Sequence, residues 1–444
     1  MTLAPIHAGQ PVVERRAVMP DGFRAAGVAA GIKASGRPDV ALIVASGGAV
    51  PAAAVFTPNR FAAAPVRLSR SNLTVSGMAS AVVCTSGCAN AATGAAGLAD
   101  QERVGRIVSA AAGVAEPDVL HLSTGLIGTR LPLDRVEAGV TAAAAALDGS
   151  DAGLLAAAEA FRTTDSVVKV ATTTFELASD SGSSTTIRVS GIAKGVGMIH
   201  PRMATMLSVV LTDASASPET LSAILRPAAA RTWDQLTVDG DTSTNDTVFL
   251  LASGASGTSP VVLGTPAEAA LRAAVEAVAR DLARQQAADG EGATTLITCV
   301  ARGARDDASA RAIARAVVAS SLVKAAVHGR DPNWGRIAGA AGNARLAEAE
   351  ILEAAGLSAA EAARLAASPA ELDPDRLRIS IAGTAVFDGA NGGPLPFDRS
   401  AVRSAMAAPE VVISLDLDLG DGDGEAFGCD LTETYVIENS EYTT

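Results

Sequence analysis

The sequence predicts an α+β fold in which helices pack against sheets of mixed or antiparallel order. Three observations carry this. Short apolar runs closed by Ser, Thr, Pro or Gly alternate with alanine-rich stretches; several such runs follow one another with no helix between them; and the glycine-rich loops of a doubly wound nucleotide fold are missing. Of 444 residues, 48% are hydrophobic but only 3% aromatic, so the core must be built from Val, Leu, Ile and Ala on thin helices.

Taken in order, VALIVAS (40–46), AAAVFT (52–57), ASAVVCTS (79–86) and VLHLST (119–124) read as strands, with helices over 98–113 and 132–147. The runs 166–178 and 184–190 are consecutive strands. Ser217-Pro218 and Thr265-Pro266 each set a capping hydroxyl before a first-turn proline, and Glu268 completes a capping box, so helices start at 218 and 266 and run to 231 and 287. Further strands are expected at 205–212, 246–252, 294–302, 377–381, 384–388, 411–419 and 434–438, and helices at 307–323 and 358–366. The acidic glycine-rich patch 420–425 reads as a turn.

Composition excludes several functions. The net charge of -13 repels the phosphate backbone that supplies most nucleic-acid affinity. Residues 1–20 carry Glu14, Arg15 and Arg16 rather than an apolar leader, and the longest charge-free stretch, 71–99, is too rich in Ser, Gly, Thr and Asn to span a bilayer, so a soluble cytoplasmic protein without membrane or nucleic-acid partners is expected. Cys84, Cys88, Cys299 and Cys429 make no disulfide framework and are expected as buried thiols. His7, His121, His200 and His328 form no zinc motif, G-x-S-x-G is absent, and the acidic run 416–425 fits no register of a calcium loop. No metal site is expected.

The most suggestive segment is KGVGMIHPRMATML (194–207), a glycine-rich stretch and a proline that switch sharply into an apolar strand, with Thr205 at the switch. A hydroxyl nucleophile needs a base, and a threonine at a new chain N-terminus can use its own α-amine, which titrates near ~7.7–8.0. Cleavage of the Ala204–Thr205 bond would both create and arm such a nucleophile, although on residue type alone a β-branched residue opening a strand is the readier account of Thr205.

At this segment the sequence resembles the ornithine acetyltransferase family, also called glutamate N-acetyltransferase (ArgJ). The resemblance runs through GFRAAGVAAGIKASG (22–36), SGCANAATG (86–94), STGLIG (123–128), TTD (163–165), DGDTSTNDT (239–247), DGEGATT (289–295), HGRDPNWGR (328–336), CDLTETYV (429–436) and NSEYTT (439–444). It implies an N-terminal-nucleophile-like αββα fold with a second, smaller α/β lobe over roughly residues 300–444, and a precursor that cuts itself into an α chain, 1–204, and a β chain, 205–444. Thr205 would take the acetyl group from N2-acetylornithine and pass it to glutamate by ping-pong exchange, as a step of arginine biosynthesis, with no cofactor. Thr124 and Gly125 fall on the oxyanion-hole positions, and Thr163, Thr164, Lys194, Thr205, Glu291, Asn439 and Thr444 on the substrate-binding positions. A lysine suits a substrate carboxylate and a glutamate suits the ornithine ammonium. The resemblance also implies αβ units assembling to (αβ)2, a heterotetramer, or higher.

Two residues depart from the family wording: Cys88 stands where asparagine is common, and Arg202 where asparagine often follows Pro201. Neither touches the nucleophile. The sequence leaves open a bifunctional enzyme that also uses acetyl-CoA, a secondary-metabolism paralogue, an amidopeptidase of the same fold, and a non-catalytic amino-acid-binding protein. Asn333 and Trp334 of DPNWGR are expected to be structural, and DGDTSTNDT suits a pocket wall or a turn equally.

Overall fold

The computed structural model describes residues 11–178, 184–200, 206–346, 358 and 368–440. In chain order it runs β1 (Phe23–Val28), β2 (Val40–Ala45), β3 (Val50–Phe56), α1 (Ala64–Ser76), β4 (Met78–Ala79), β5 (Ala81–Cys88), α2 (Gly94–Ala112), β6 (Val119–Leu126), α3 (Leu133–Ala145), α4 (Asp151–Phe161), β7 (Lys169–Ala178), β8 (Ser184–Lys194), β9 (Leu207–Thr212) and α5 (Pro218–Arg231). It continues with β10 (Leu236–Thr237), β11 (Thr247–Ala252), α6 (Pro266–Ala288), β12 (Leu296–Ala304), α7 (Asp307–Ala319), α8 (Ser321–His328), α9 (Trp334–Gly342), β13 (Arg378–Ile381), β14 (Thr384–Asp388), β15 (Gly393–Pro394), α10 (Arg399–Ala405), β16 (Glu410–Asp416), β17 (Gly422–Cys429) and α11 (Glu433–Ser440). The α+β class read from the sequence is the class observed.

Two compact units share the chain. The first takes Met1–Gly195, Thr205–Ala229 and Thr242–Leu282; the second takes Val196–Ala204, Ala230–Asp241 and Ala283–Thr444.

The first unit holds a four-stranded sheet, β1-β2-β5-β6, and a six-stranded sheet, β4-β3-β11-β9-β8-β7. Every residue of β2 is buried because successive side chains enter different cores. Val40, Leu42 and Val44 meet Val104 and Val108 of α2 and Val136 and Val140 of α3. Ala41, Ile43 and Ala45 face Leu154, Ala157 and Phe161 of α4 and, in the same cluster, Leu207, Val209 and Phe249 of the six-stranded sheet. A strand covered on both faces reads as a continuous apolar run, which is why VALIVAS shows no polar alternation.

The second unit is built on a seven-stranded mixed sheet, β10-β17-β12-β16-β13-β14-β15. Helix α7 packs Ile313, Val317 and Val318 on it, in one core with Ile297, Ile379 and Ile413. Asn333 caps α9, accepting from Arg336 N at 3.2 Å, and Trp334 stacks on Phe387 with ring centroids 5.0 Å apart, so DPNWGR is structural as expected. All four cysteines are buried free thiols.

The predicted helix starts at 218 and 266 are both present: the Ser217 hydroxyl accepts from Thr220 N and the Thr265 hydroxyl from Glu268 N. Two expectations are corrected. Residues 434–438 belong to a helix, because the Thr432 hydroxyl accepts from Tyr435 N at 3.3 Å and opens α11. The acidic patch 420–425 is a strand from Gly422 onwards: a Cβ at Gly424 would stand 2.5 Å from Arg311 N, so glycine is what lets β17 and α7 approach. Strand β1 and helices α1 and α4 were not expected from the sequence. The helix expected at 358–366 lies, apart from Ser358, outside the described residues.

Candidate active site

In the first unit the polar residues of interest gather where β6 and β8 end and β9 begins. Strands β8 and β9 are antiparallel neighbours, and Lys194 faces Leu207 across the ladder. The proposed scissile bond therefore lies two residues before the register partner of Lys194, although Ala204 and Thr205 themselves are outside the described residues. On the other side of β9, Thr247 of β11 is paired with Leu207. Met206 is fixed at both backbone groups: its N–H donates to the Asp246 carboxylate at 3.0 Å, and its carbonyl accepts from Thr247 N at 3.0 Å.

Lys194 is buried and donates from Nζ to Thr124 Oγ1 at 3.2 Å. Because the Thr124 oxygen is the acceptor there, its own hydroxyl hydrogen is directed elsewhere, as a donor to an external oxygen must be. Gly125 follows with φ of +129°, and a Cβ on it would lie 2.3 Å from the Gly87 carbonyl carbon, so only glycine fits this strand end. The ladder between β5 and β6 shifts register here, at Gly87 and Cys88. Asn245 braces the same strand: its side-chain amide donates to Ser123 O at 2.8 Å and Ala89 O at 2.7 Å.

Asp165, wholly buried, is the hub behind these groups. Its Oδ1 accepts from Lys169 Nζ at 2.7 Å and Gly195 N at 2.8 Å; its Oδ2 accepts from Thr163 N at 3.1 Å and lies 3.9 Å from Lys194 Nζ. Burial alone would push the carboxyl up, but the Lys194 and Lys169 ammonium groups hold it well below the usual carboxylate range. Thr163 is half-buried and Thr164 exposed on this loop. Lys33 approaches from the turn after β1: its Nζ donates to Arg162 O at 2.6 Å, and burial pushes its ammonium down to about 8.

The second unit carries a separate polar group. Glu291 accepts from Asn439 Nδ2 at 3.0 Å, and its own N–H donates to Val196 O at 2.8 Å. A Cβ on Gly197 would stand 2.2 Å from Glu291 Oε2. Asp239 accepts from Ile199 N at 2.9 Å and is pushed up by burial. Tyr435 of α11 is pushed up to about 12, by burial first and then by the carboxylates of Asp239, Glu291 and Asp241. Thr444 lies outside the described residues.

The structure thus joins Thr124 to Lys194, ties Thr163 to both through Asp165, and joins Glu291 to Asn439. Sequence reasoning missed Asp165, Lys169, Asn245 and Asp246 in the first unit and Asp239 and Tyr435 in the second. A signal existed for some: buried charged residues must be partnered, and TTD, DGDTSTNDT and TETYV set charges and amides beside apolar strands. Among the described residues there is no His, Cys, Asp and Glu cluster that would hold a metal and no helix long and apolar enough to cross a membrane.

A buried ammonium that donates to a threonine hydroxyl, next to a strand end that admits only glycine, is an arrangement suited to holding an anionic oxygen, on an α+β frame. The chain belongs to the ArgJ family, whose model matches residues 24–444. It is 44% identical over 434 residues to the arginine biosynthesis bifunctional protein ArgJ of Synechococcus sp., covering 96% of each chain. It is 42% identical to the protein of the same name from Thermus thermophilus, over 96% of this chain and 99% of that one. Among solved structures, the arginine biosynthesis bifunctional protein ArgJ of Bacillus halodurans is 35% identical and covers 53% of this chain and 99% of its own, with a TM-score of 0.46. The ornithine acetyltransferase of Mycobacterium tuberculosis complexed with ornithine is 39% identical over 43% of this chain and 98% of its own, with a TM-score of 0.38.

Proposed function

We propose that this chain is a self-processing acetyltransferase of arginine biosynthesis that moves the acetyl group from N2-acetylornithine to glutamate. It is an enzyme acting on small amino-acid substrates. The observation that carries the reading is the Lys194–Thr124 hydrogen bond at 3.2 Å, on strands whose register sets Lys194 opposite Leu207, two residues after Thr205.

Cleavage before Thr205 would give chains of 1–204 and 205–444 and release the Thr205 α-amine. That amine takes the hydroxyl proton as Oγ1 attacks the acetyl carbonyl carbon. The oxyanion then accepts from the Thr124 hydroxyl and the Gly125 N–H, with the Lys194 ammonium behind them. Collapse breaks the C–N bond, the α-amine returns the proton to the departing ornithine nitrogen, and an acetyl ester on Thr205 remains. Glutamate attacks this ester by its own amine, and the same steps run in reverse. Thr163 and Thr164 line the approach to the substrate carboxylate. Glu291, held by Asn439, takes the ornithine ammonium, with Thr444 as a further polar contact. Against the net charge of -13, the fields of Lys194, Lys169 and Lys33 make the acyl site locally favourable to an anion. The enzyme works in the cytoplasm as αβ units assembled to (αβ)2 or higher, and the C-terminal residues from roughly 300 form a smaller lobe.

The test is the mass of the purified protein and of its Thr205→Ala variant. The wild type should give two chains with Thr205 at a new N-terminus, and Thr205→Ala a single chain near 44.3 kDa without transferase activity. Thr205→Ser should retain some processing. An uncut wild type with full activity would sink the mechanism.

The relatives named bifunctional favour a second donor, acetyl-CoA, discharging to the same threonine. Formation of acetylglutamate from acetyl-CoA and glutamate by the purified protein would establish it.

A further inference from the structure

The α-carboxylate that N2-acetylornithine and glutamate share calls for a cation beside the acyl centre, and the cations nearest that centre are already engaged. Lys194 donates to Thr124 and lies 3.9 Å from Asp165, and Lys169 lies 2.7 Å from Asp165. Arg162 donates to the Glu159 carboxylate and to the carbonyls of Asp165 and Ser166. Lys33 is placed differently. The turn after β1 is folded round the buried carboxylate of Asp39, which accepts from Ala30 N and Ile32 N, each at 2.6 Å, and from Lys33 N at 3.0 Å. This holds the Lys33 stem against Gly87, the residue that Gly125 abuts: a Cβ on Gly87 would stand 3.2 Å from Lys33 Cγ.

From there the half-buried side chain reaches the loop that carries Thr163, where Nζ donates to the neutral carbonyl of Arg162 at 2.6 Å. An ammonium carries three N–H donors, and this bond uses one. Burial, with repulsion from Arg37 and Lys194, outweighs the opposing influence of Cys84 and Asp39 and lowers Lys33 to about 8, so at neutral pH it is mostly charged. A cation crowded by like charges in a partly desolvated place is stabilised when an anion joins it.

We propose that Lys33 is a substrate-binding residue that takes the α-carboxylate of both substrates, by a charge-assisted hydrogen bond made beside Thr163 while the acetyl group lies at Thr124 and Gly125. The inference rests on the reading of this site as one for acetyl transfer between amino acids. Because donor and acceptor have this carboxylate in common, one lysine serves both halves of the exchange. The contact is the same in the ground state and the transition state, so its loss falls on KM and leaves kcat nearly unchanged.

The test compares the wild type with Lys33→Met, using N2-acetylornithine and its α-carboxamide as donors to glutamate, with rates normalised to the cleaved fraction measured by mass. Lys33→Met should raise KM about tenfold or more for both N2-acetylornithine and glutamate. The wild type should prefer the acid to the amide by about the same factor in kcat/KM, and Lys33→Met should prefer neither, a change that mere loosening of the loop would not produce. If Lys33→Met does not fold, Lys33→Gln takes its place in the same comparison. A variant that keeps the preference for the acid, or a loss expressed in kcat alone, overturns the inference. Wild-type protein that transfers no acetyl group overturns the underlying reading, whereas an active wild type alongside an unimpaired Lys33→Met overturns only the role of Lys33.

Discussion

The Glu291 carboxylate occupies the space that a side chain at Gly197 would need: a Cβ there would stand 2.2 Å from Oε2 and 2.8 Å from Oε1. The clashing atoms are the far end of a flexible side chain, so Gly197→Ala should displace Glu291 from Asn439 at little cost in stability. The expected result is a raised KM for N2-acetylornithine, with a thermal midpoint within a few degrees of wild type. Steady-state kinetics beside a melting curve checks both halves.

Thr124→Val keeps the shape of the buried side chain and removes the hydroxyl that Lys194 addresses. If that hydroxyl is an oxyanion donor, kcat should fall roughly 10²–10³-fold. Thr124→Ser should keep most of the activity, and a rate series over Thr, Ser and Val separates loss of the hydroxyl from loss of packing.

Asn245 satisfies two carbonyls, those of Ala89 and Ser123, from a position nearly closed to solvent. Asn245→Ala leaves both without this donor. Urea unfolding should show a loss of about 1–3 kcal/mol for each oxygen that finds no substitute. Transfer activity should drop with it, since Ser123 is the residue before Thr124.

His121, buried in β6 and paired with Gln101 at 3.0 Å, is pushed down to about 3 by burial. Its folded value lies below its ordinary 6.5, so between these pH values the unfolded chain binds the proton and the folded chain does not. Stability is therefore lost as pH falls from 6.5, by up to about 1.4 kcal/mol per pH unit from this one group. His121→Gln should flatten that part of the stability profile, and denaturant midpoints for both proteins at pH 7, 6 and 5 measure it.

Much of the fold was legible where local chemistry agrees with packing. The capping hydroxyls of Ser217 and Thr265 sit at the helix starts they announced, the run around Val40 is a strand whose burial on both faces leaves no polar position to blur it, and the run from Val119 is a strand that also buries His121, Ser123 and Thr124. Helix α1 was hidden by its Ser, Asn and Thr, with Pro65 as its one clear start signal. Helix α11 was hidden because Tyr435, Val436 and Ile437 favour strands by residue type, while the decision belongs to the Thr432 cap. At the site, Lys194, Thr124 and Gly125 could be singled out only through the family resemblance, since by type alone Lys194 reads as a solvated loop lysine. That Asp165 rather than its neighbouring threonines is the hub could not be read, because its partners Lys169 and Gly195 come together only through the turn from α4 into β7 and the pairing of β7 with β8.

The six-stranded sheet draws β3, β4, β7 and β8 from before residue 204 and β9 and β11 from after it, with β8 hydrogen-bonded to β9 and β3 to β11. A nick between residues 204 and 205 therefore turns unfolding from a one-molecule event into a dissociation. Before the cut, the denaturation midpoint is independent of protein concentration. After it, recovery requires two fragments to find each other, so the midpoint should rise with concentration and dilution should trap the pieces apart. Maturation would thus bind the history of the molecule into its thermodynamics: the precursor can refold alone, whereas the finished enzyme can refold only in company.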